Sequence, residues 1–278
     1  MQSLNEKCFN DFVELIHELT GITVAKSRTS MVEGRLRRRI ENLKLPDYEA
    51  YLKLVKEDKN EQRQFIDLVT TNETSFFRTP RIWEYIEKKI LPSWLAAHPN
   101  QVFTAWSAAA SSGEEAHTLG ILCQEFKAWN PSFVYQIIGT DISNEMVELC
   151  QKGIYSGRTL ATFKETRSGL FSKYMKENSD GSFQIKSEIK DRLRFHQHNL
   201  FQSSKTKDHF DLILIRNVLI YFKAPDQEKV LDLIASQLAQ DGKLIIGESE
   251  SLTHIQTPFK HVEALVYQLN PVQMTKSG

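Results

Sequence analysis

The sequence predicts an α/β protein in two parts: a small helical domain, then a mainly parallel sheet flanked by helices and carrying a small inserted β-subdomain. Three observations predict it. Apolar residues recur at helical spacing through residues 1–72. From about residue 101, short apolar runs alternate with amphipathic stretches, the pattern of strands joined by helical crossovers. The length of 278 residues also exceeds what one average domain holds.

In the first part, Phe9, Phe12, Val13, Ile16 and Leu19 form one stripe, and Gly21 stands where a C-terminal cap belongs. A second helix is expected over 27–43, a third from Asp47 after Pro46, and a fourth carrying Phe65, Leu68 and Val69 towards Thr70. Residues 73–100 join the two parts. In 101–278, strands are expected at 102–106, 134–139, 210–215 and 244–247, with helices near 113–127, 143–152 and 226–239. The run 263–269 reads as an antiparallel edge strand. Between Tyr155 and Asn199 the pattern breaks into a polar insertion whose Asp180-Gly181 turn marks a hairpin, placed at about 172–198 with Leu193-Arg194-Phe195 in it.

Composition excludes several classes. The 35 basic and 35 acidic residues cancel, so no global field holds the protein on nucleic acid or an anionic membrane. No basic-then-apolar leader is visible and no apolar run approaches the ~20 residues that span a bilayer, so a soluble cytoplasmic protein is expected. Cys8, Cys123 and Cys150 are odd in number and lack a CxxC spacing, which points to buried thiols and to no metal. HExxH, GxSxG and GxxxxGK[ST] are missing. His196 and His198 alternate on a strand and are expected at the surface or satisfied.

The chemistry concentrates after the strands. Trp106 to Glu115 reads WSAAASSGEE, small residues leading into a helix, where backbone N–H groups can approach a ligand. One glycine, Gly113, does not make a pyrophosphate fingerprint, so a nucleotide-like ligand without pyrophosphate fits better. Ser111-x-x-Glu114 and Ser112-x-x-Glu115 also match a capping box. Asp141 ends the next strand, where an acid can accept ribose hydroxyls, although it can equally cap the following helix. Arg216, Asn217 and Tyr221 emerge at the carboxyl edge after the run 210–215.

Thr70 to Arg78 (TTNETSFFR), Trp106 to Glu115, Thr140-Asp141-Ile142 and Arg216 to Phe222 (RNVLIYF), in this order, resemble the CheR-type chemoreceptor glutamate methyltransferases over nearly the whole chain. The resemblance implies a helical receptor-recognition domain (1–72), an interdomain segment (73–100) and a Rossmann-like class I methyltransferase domain (101–278). It implies an enzyme that uses S-adenosylmethionine to esterify glutamate side chains of methyl-accepting chemotaxis proteins, releasing S-adenosylhomocysteine. By position, Asn72, Thr74, Arg78, Glu114, Glu115, Asp141, Asn199, Leu200, Arg216 and Asn217 would hold the cofactor. Arg78 and Tyr221 would serve the reaction. The inserted hairpin docks a receptor C-terminal tail in some members. One departure is Ala116-His117, where many relatives have Pro-Tyr.

A glutamate acceptor has a reference pKa of about 4.3 and is ionised at neutral pH, so no general base is required. Tyr221 can orient it with one neutral hydrogen bond, and Arg78 can supply a fixed charge. Phe76 and Phe77 are expected to pack. From Lys26 to Lys44 seven basic residues face two acidic ones, a local charge of +5. On a helix Arg28, Arg35 and Arg39 fall within about 40° of one another, with Arg38 nearby. The resemblance turns this exposed ridge into a surface for glutamate-rich receptor helices. No nucleic-acid partner and a monomer are expected. The alternatives are a methyltransferase with another substrate and a non-catalytic S-adenosylmethionine-binding adaptor.

Overall fold

A computed structural model describes residues 4–24, 28–203 and 209–270. Ser27, the expected start of the second helix, and Lys26, the first of the basic run, lie outside the described residues.

Four helices form where the spacing places them: α1 (Glu6–Thr20), α2 (Thr29–Asn42), α3 (Tyr48–Glu57) and α4 (Lys59–Val69). Short polar side chains set the starts of α1, α3 and α4, because each accepts a backbone N–H that the first turn leaves unpaired. Asn5 accepts from Cys8 N at 2.8 Å, Asp47 from Ala50 N at 2.8 Å and Asp58 from Asn60 N at 2.7 Å. Gly21 closes α1 in the left-handed region at φ 72°, donating to His17 O at 2.7 Å. Phe12, Leu36, Tyr51, Val55 and Phe65 fill the core between the helices.

The exposed positive ridge on α2 is not formed. Arg35 Nη1 donates to the carbonyls of Leu68 and Thr70 at 2.8 and 2.7 Å, taking up acceptors that the end of α4 leaves unpaired. Arg39 grips the buried Glu61 carboxylate through Nε and Nη2 at 2.9 and 2.6 Å. Arg28 lies over the Tyr221 ring, 4.4 Å from its centroid. Within α2 only Arg37 and Arg38 are exposed arginines.

Residues 73–100, expected as the segment that joins the two parts, pack against the sheet. One helical run, α5 (Pro80–Tyr85), a π-turn (Ile86–Ile90) and α6 (Leu91–Ala97), packs Trp83, Ile86, Leu91 and Trp94 into the core with Phe103 and Phe133. Phe76 and Phe77 are buried there, as expected of packing residues.

The strands are β1 (Val102–Ser107), β2 (Val134–Asp141), β3 (Ile154–Tyr155), β4 (Met175–Glu177), β5 (Phe183–Ile185), β6 (Leu193–Gln197), β7 (Phe210–Ile215), β8 (Leu238–Ile246), β9 (Phe259–Glu263) and β10 (Val266–Leu269). Among the described residues the large sheet has the order β6-β2-β1-β7-β8-β10-β9. Its first five strands are parallel, and β10 is antiparallel to both neighbours. The antiparallel 263–269 run is therefore not the edge, because β9 lies outside it. Helices α7 (Glu114–Trp129), α8 (Asn144–Lys152) and α12 (Ala224–Ala235) are the crossovers, with the short α9 (Ala161–Thr166), α10 (Ser168–Tyr174) and α11 (Ser187–Lys190) in the insertion. Burial on both faces explains the unbroken apolar run of β7.

The insertion forms a separate antiparallel sheet, β3-β5-β4, with Asp180 accepting from Ser182 N in the β4–β5 turn. Leu193 to Phe195 do not join it. They pair in parallel with β2, Phe195 opposite Gly139, where a Cβ would sit 2.4 Å from the Phe195 ring. Among the described residues no helix is long and apolar enough to cross a membrane. The chain runs outward through β1, β2 and β6 and then returns to place β7 beside β1. That reversal opens a crevice above the carboxyl ends of β1 and β7.

Candidate active site

A cleft of about 900 Å³, open mouth included, occupies this crevice. The loops after β1, β2, β6 and β7 form its floor, the segment 70–78 one side, and Thr20 and Ile22 from the end of α1 a wall. The helical domain is thus part of the cleft.

Asp141, 8% exposed at the end of β2, accepts from Ser111 N at 2.8 Å and Ser143 N at 3.0 Å. Burial raises its pKa, and the backbone donors only partly oppose that. It does not cap α8, since the Ser143 hydroxyl does so at Met146 N. The neighbouring loop makes no capping box either: Gly113, at φ 99°, is the cap of α7 and no side chain bonds there. Ser111 Oγ donates instead to Asn72 O at 2.7 Å, which ties the first strand's loop to the segment between the domains. A Cβ on Gly113 would lie 2.9 Å from Tyr155 Oη and 3.0 Å from Cys150 Sγ, so the loop's one glycine is required by close approach.

Arg216 is the electrostatic centre of the β7 side. Its Nη1 lies 3.0 Å from Glu115 Oε2 and its Nη2 donates to Arg78 O at 2.9 Å, while its Nε is buried without a partner among the described residues. Glu115 also accepts from Ser107 Oγ at 2.8 Å. The turn that follows is held by Glu250, which accepts from Val218 N, Leu219 N and Gly247 N at 2.9, 2.8 and 2.5 Å. This clamp fixes Asn217 at φ 59° and presents Tyr221, whose hydroxyl accepts from Arg28 Nη2 at 3.3 Å. Phe77, Thr79, Ser111 and Asn217 all have positive φ without being glycine, and they border the cleft or flank Arg78. Such strain persists where surrounding contacts over-determine the backbone.

The structure brings Asn72, Thr74, Arg78, Glu115, Asp141, Asn199, Leu200, Arg216, Asn217 and Tyr221 to this one cleft. It does not bring Glu114, which is 1% exposed, turned under the loop and bonded by Ser112 Oγ at 2.7 Å. Adjacent helical residues point about 100° apart, so only Glu115 faces the opening. Arg28 meets Tyr221 at the cleft, whereas Arg35, Arg38 and Arg39 line an adjoining groove beside α4 and α8 that shares Thr70 and Asn72 with the cleft. Sequence reading missed His198, Thr20 and Ile22, all in the lining. His198, expected on a strand and at the surface or satisfied, follows β6 half-buried in the cleft lining, its ring 5.8 Å from that of Trp106. Its position after a strand of the main sheet is the signal that could have found it.

An adenosyl sulfonium would fit these residues. A buried acid at the end of β2 suits a ribose, and the carboxylates and guanidinium groups suit an amino-acid zwitterion. The class of protein so defined is an S-adenosylmethionine-dependent methyltransferase of Rossmann-like fold. The chain belongs to the CheR methyltransferase family: residues 72–268 match the family described as "CheR methyltransferase, SAM binding domain" and residues 7–70 match "CheR methyltransferase, all-alpha domain". It is 32% identical over 278 residues to the chemotaxis protein methyltransferase of Vibrio parahaemolyticus, covering 96% of this chain and 98% of that relative. It is 29% identical over 273 residues to the chemotaxis protein methyltransferase of Escherichia coli, covering 96% and 92%. The cofactor is S-adenosylmethionine.

Proposed function

We propose that this methyltransferase esterifies glutamate side chains on the cytoplasmic methylation helices of chemoreceptors, and so works in the cytoplasm. The observation that carries the reading is that Tyr221, in the loop after β7, is gripped from the helical domain. Arg28 stacks on its ring and Thr23 N donates to its carbonyl at 2.8 Å. A side chain entering the cleft beside Tyr221 therefore meets both domains, which suits a protein acceptor better than a free small molecule.

Bound S-adenosylmethionine supplies an electrophilic methyl group on a sulfonium. Asp141 would accept the ribose hydroxyls. Glu115 and Arg78 would meet the charged ends of the amino-acid portion, with Arg216 holding Glu115 in place. Asn199 and Leu200 would border the base, and Asn72, Thr74 and Asn217 would complete the enclosure. The incoming glutamate is already ionised, so the protein's task is to orient it and exclude water. The Tyr221 hydroxyl donates one neutral hydrogen bond, enough to aim the carboxylate without quenching its nucleophilicity.

Arg38 is the residue of the α2 group left exposed to meet an acidic receptor helix. A second contact is available at β4, one of the two edge strands of the small sheet, where an extended receptor tail can add as a strand. The test incubates the protein with methyl-labelled S-adenosylmethionine and a chemoreceptor cytoplasmic fragment. Label released as methanol by mild base, and lost in Tyr221→Phe or Asp141→Ala, supports carboxyl esterification. Base-stable label, or none despite cofactor binding across a panel of receptors, would reject it.

A further inference from the structure

Behind the cofactor loop lies a second cavity of about 450 Å³, open mouth included, between α7, α8, α11 and β6. His117, Cys150, Lys190 and Arg194 line it, and no carboxylate does. Its inner wall is the underside of the cofactor loop. His117 Nδ1 lies 3.0 Å from Gly113 O and 2.7 Å from Tyr155 Oη, and Tyr155 Oη donates to Ser112 O at 2.9 Å. Cys150 Sγ donates to Ser111 O at 3.0 Å. Three consecutive carbonyls of the loop are thus held by side chains from this side.

His117 is fully buried, and its Nε2 has no hydrogen-bond partner among the described residues. Burial keeps the ring neutral, its pKa pushed down to about 3. The two tautomers differ in what they ask of the cavity. With the Tyr155 proton on Ser112 O, His117 Nδ1–H faces oxygens and Nε2 presents a bare lone pair. With the Tyr155 proton turned to Nδ1, the ring hydrogen is on Nε2 and needs an acceptor, while Ser112 O loses its donor. A neutral imidazole can serve either way.

We propose that this cavity is a binding site for a small oxyanion, held by His117 Nε2–H together with Lys190 and Arg194, and that occupancy loosens the cofactor loop. The charge on the ring does not change: the proton leaves Nδ1, another is taken up at Nε2, and the Tyr155 hydroxyl rotates from Ser112 O to Nδ1. Lys190, whose Nζ donates to Lys152 O at 2.9 Å, and Arg194, whose Nη1 donates to Asp191 O and Leu193 O at 3.1 and 2.9 Å, turn from these carbonyls to supply the countercharge, and the absence of a lining carboxylate disfavours a metal cation. Because Tyr155 then releases the carbonyl beside Gly113, the anion and the cofactor oppose each other. By linkage each must weaken the other by the same factor.

The test titrates inorganic phosphate, with acetate as a parallel arm for a carboxylate ligand, into the full chain carrying ¹⁵N-histidine. The His117 Nε2 resonance should move saturably from the lone-pair to the N–H range, with the more effective anion naming the ligand's class. At saturation the Kd for S-adenosylhomocysteine should rise about fivefold or more. Lys190→Gln/Arg194→Gln, which leaves the loop contacts in place, should abolish both responses while retaining cofactor affinity in the absence of anion. A response equalled by chloride at matched ionic strength, one that survives the double variant, or no saturable shift with either anion overturns the proposal.

Discussion

Asp141 shows how one residue can join fold and chemistry. It is buried, ties the loop after β1 to the start of α8 through Ser111 N and Ser143 N, and faces the cleft. Burial raises its pKa above the ordinary carboxylate value. The sign follows: in the folded, cofactor-free protein Asp141 takes up a proton at a higher pH than an exposed acid does, and a protonated oxygen is a poorer acceptor for ribose hydroxyls. Affinity for S-adenosylhomocysteine should therefore fall as pH drops through this raised pKa, and calorimetry should show a proton released on binding at the acid end. Asp141→Asn should bind more weakly at neutral pH, by tenfold or more for a lost charged hydrogen bond of about 1.5–3 kcal/mol, and its pH dependence should flatten. An unchanged acid limb in that variant would assign the titration to another group. Asp141 and Arg216 were legible in the sequence because each follows an apolar strand. The choice between Glu114 and Glu115 was not, since it depends on the phase at which Gly113 launches α7.

The same limit operates on whole elements. Helical periodicity groups Val32, Leu36, Ile40 and Leu43 as one apolar stripe, of which the first three are buried and Leu43 partly so, and it sets Arg28, Arg35 and Arg39 on one flank, yet it cannot say what that flank faces. It faces α4, whose terminal carbonyls and Glu61 take up Arg35 and Arg39. The strands were read for the reason that buried parallel strands are continuous apolar runs. Assigning 193–195 to the small hairpin failed because parallel pairing with β2 is long-range and leaves no local mark. Function follows from the arginine placement. Glu61 is 6% exposed and shared with the Tyr51 hydroxyl at 2.9 Å, so Arg39→Glu would strand buried charge and should cost about 3–5 kcal/mol in urea unfolding. Arg38→Glu changes an exposed side chain and should move stability by no more than about 0.5 kcal/mol. It should instead raise the apparent KM for receptor, more at low salt, with cofactor affinity unchanged. Equal receptor kinetics in Arg38→Glu and the parent would remove α2 from recognition.

For the molecule as a whole, the question is whether two domains merely adjoin or make one site. The seam is polar and specific: His17 Nε2 lies 2.9 Å from Asp226 Oδ2, Asn199 Nδ2 donates to Leu19 O at 3.1 Å, and Ser111 Oγ reaches Asn72 O. At its centre Gly21, forced to φ 72° at the end of α1, lies against Phe201, and a Cβ there would come within 2.0 Å of the ring. Phe201 in turn packs edge-on against Phe222, centroids 5.2 Å apart, and Phe222 lines the cofactor cleft. A methyl group at Gly21 thus acts on the cleft through two rings without touching the cofactor. Gly21→Ala should cost about 1–2 kcal/mol from the left-handed backbone alone, with displacement of Phe201 added, and should raise the Kd for S-adenosylhomocysteine tenfold or more. Gly34→Ala is the matched control, since that helical position has nothing within 4 Å of an added Cβ. It should keep cofactor affinity and gain up to about 1 kcal/mol. Thermal unfolding of both variants, with and without S-adenosylhomocysteine, separates the cases. If the helical domain is a wall of the site, ligand raises the Tm of the Gly34 variant as in the parent and raises that of the Gly21 variant much less. If Gly21→Ala lowers the Tm but keeps the full ligand-induced rise, the domains adjoin without sharing the site, and receptor recognition and cofactor binding are separable functions of this chain.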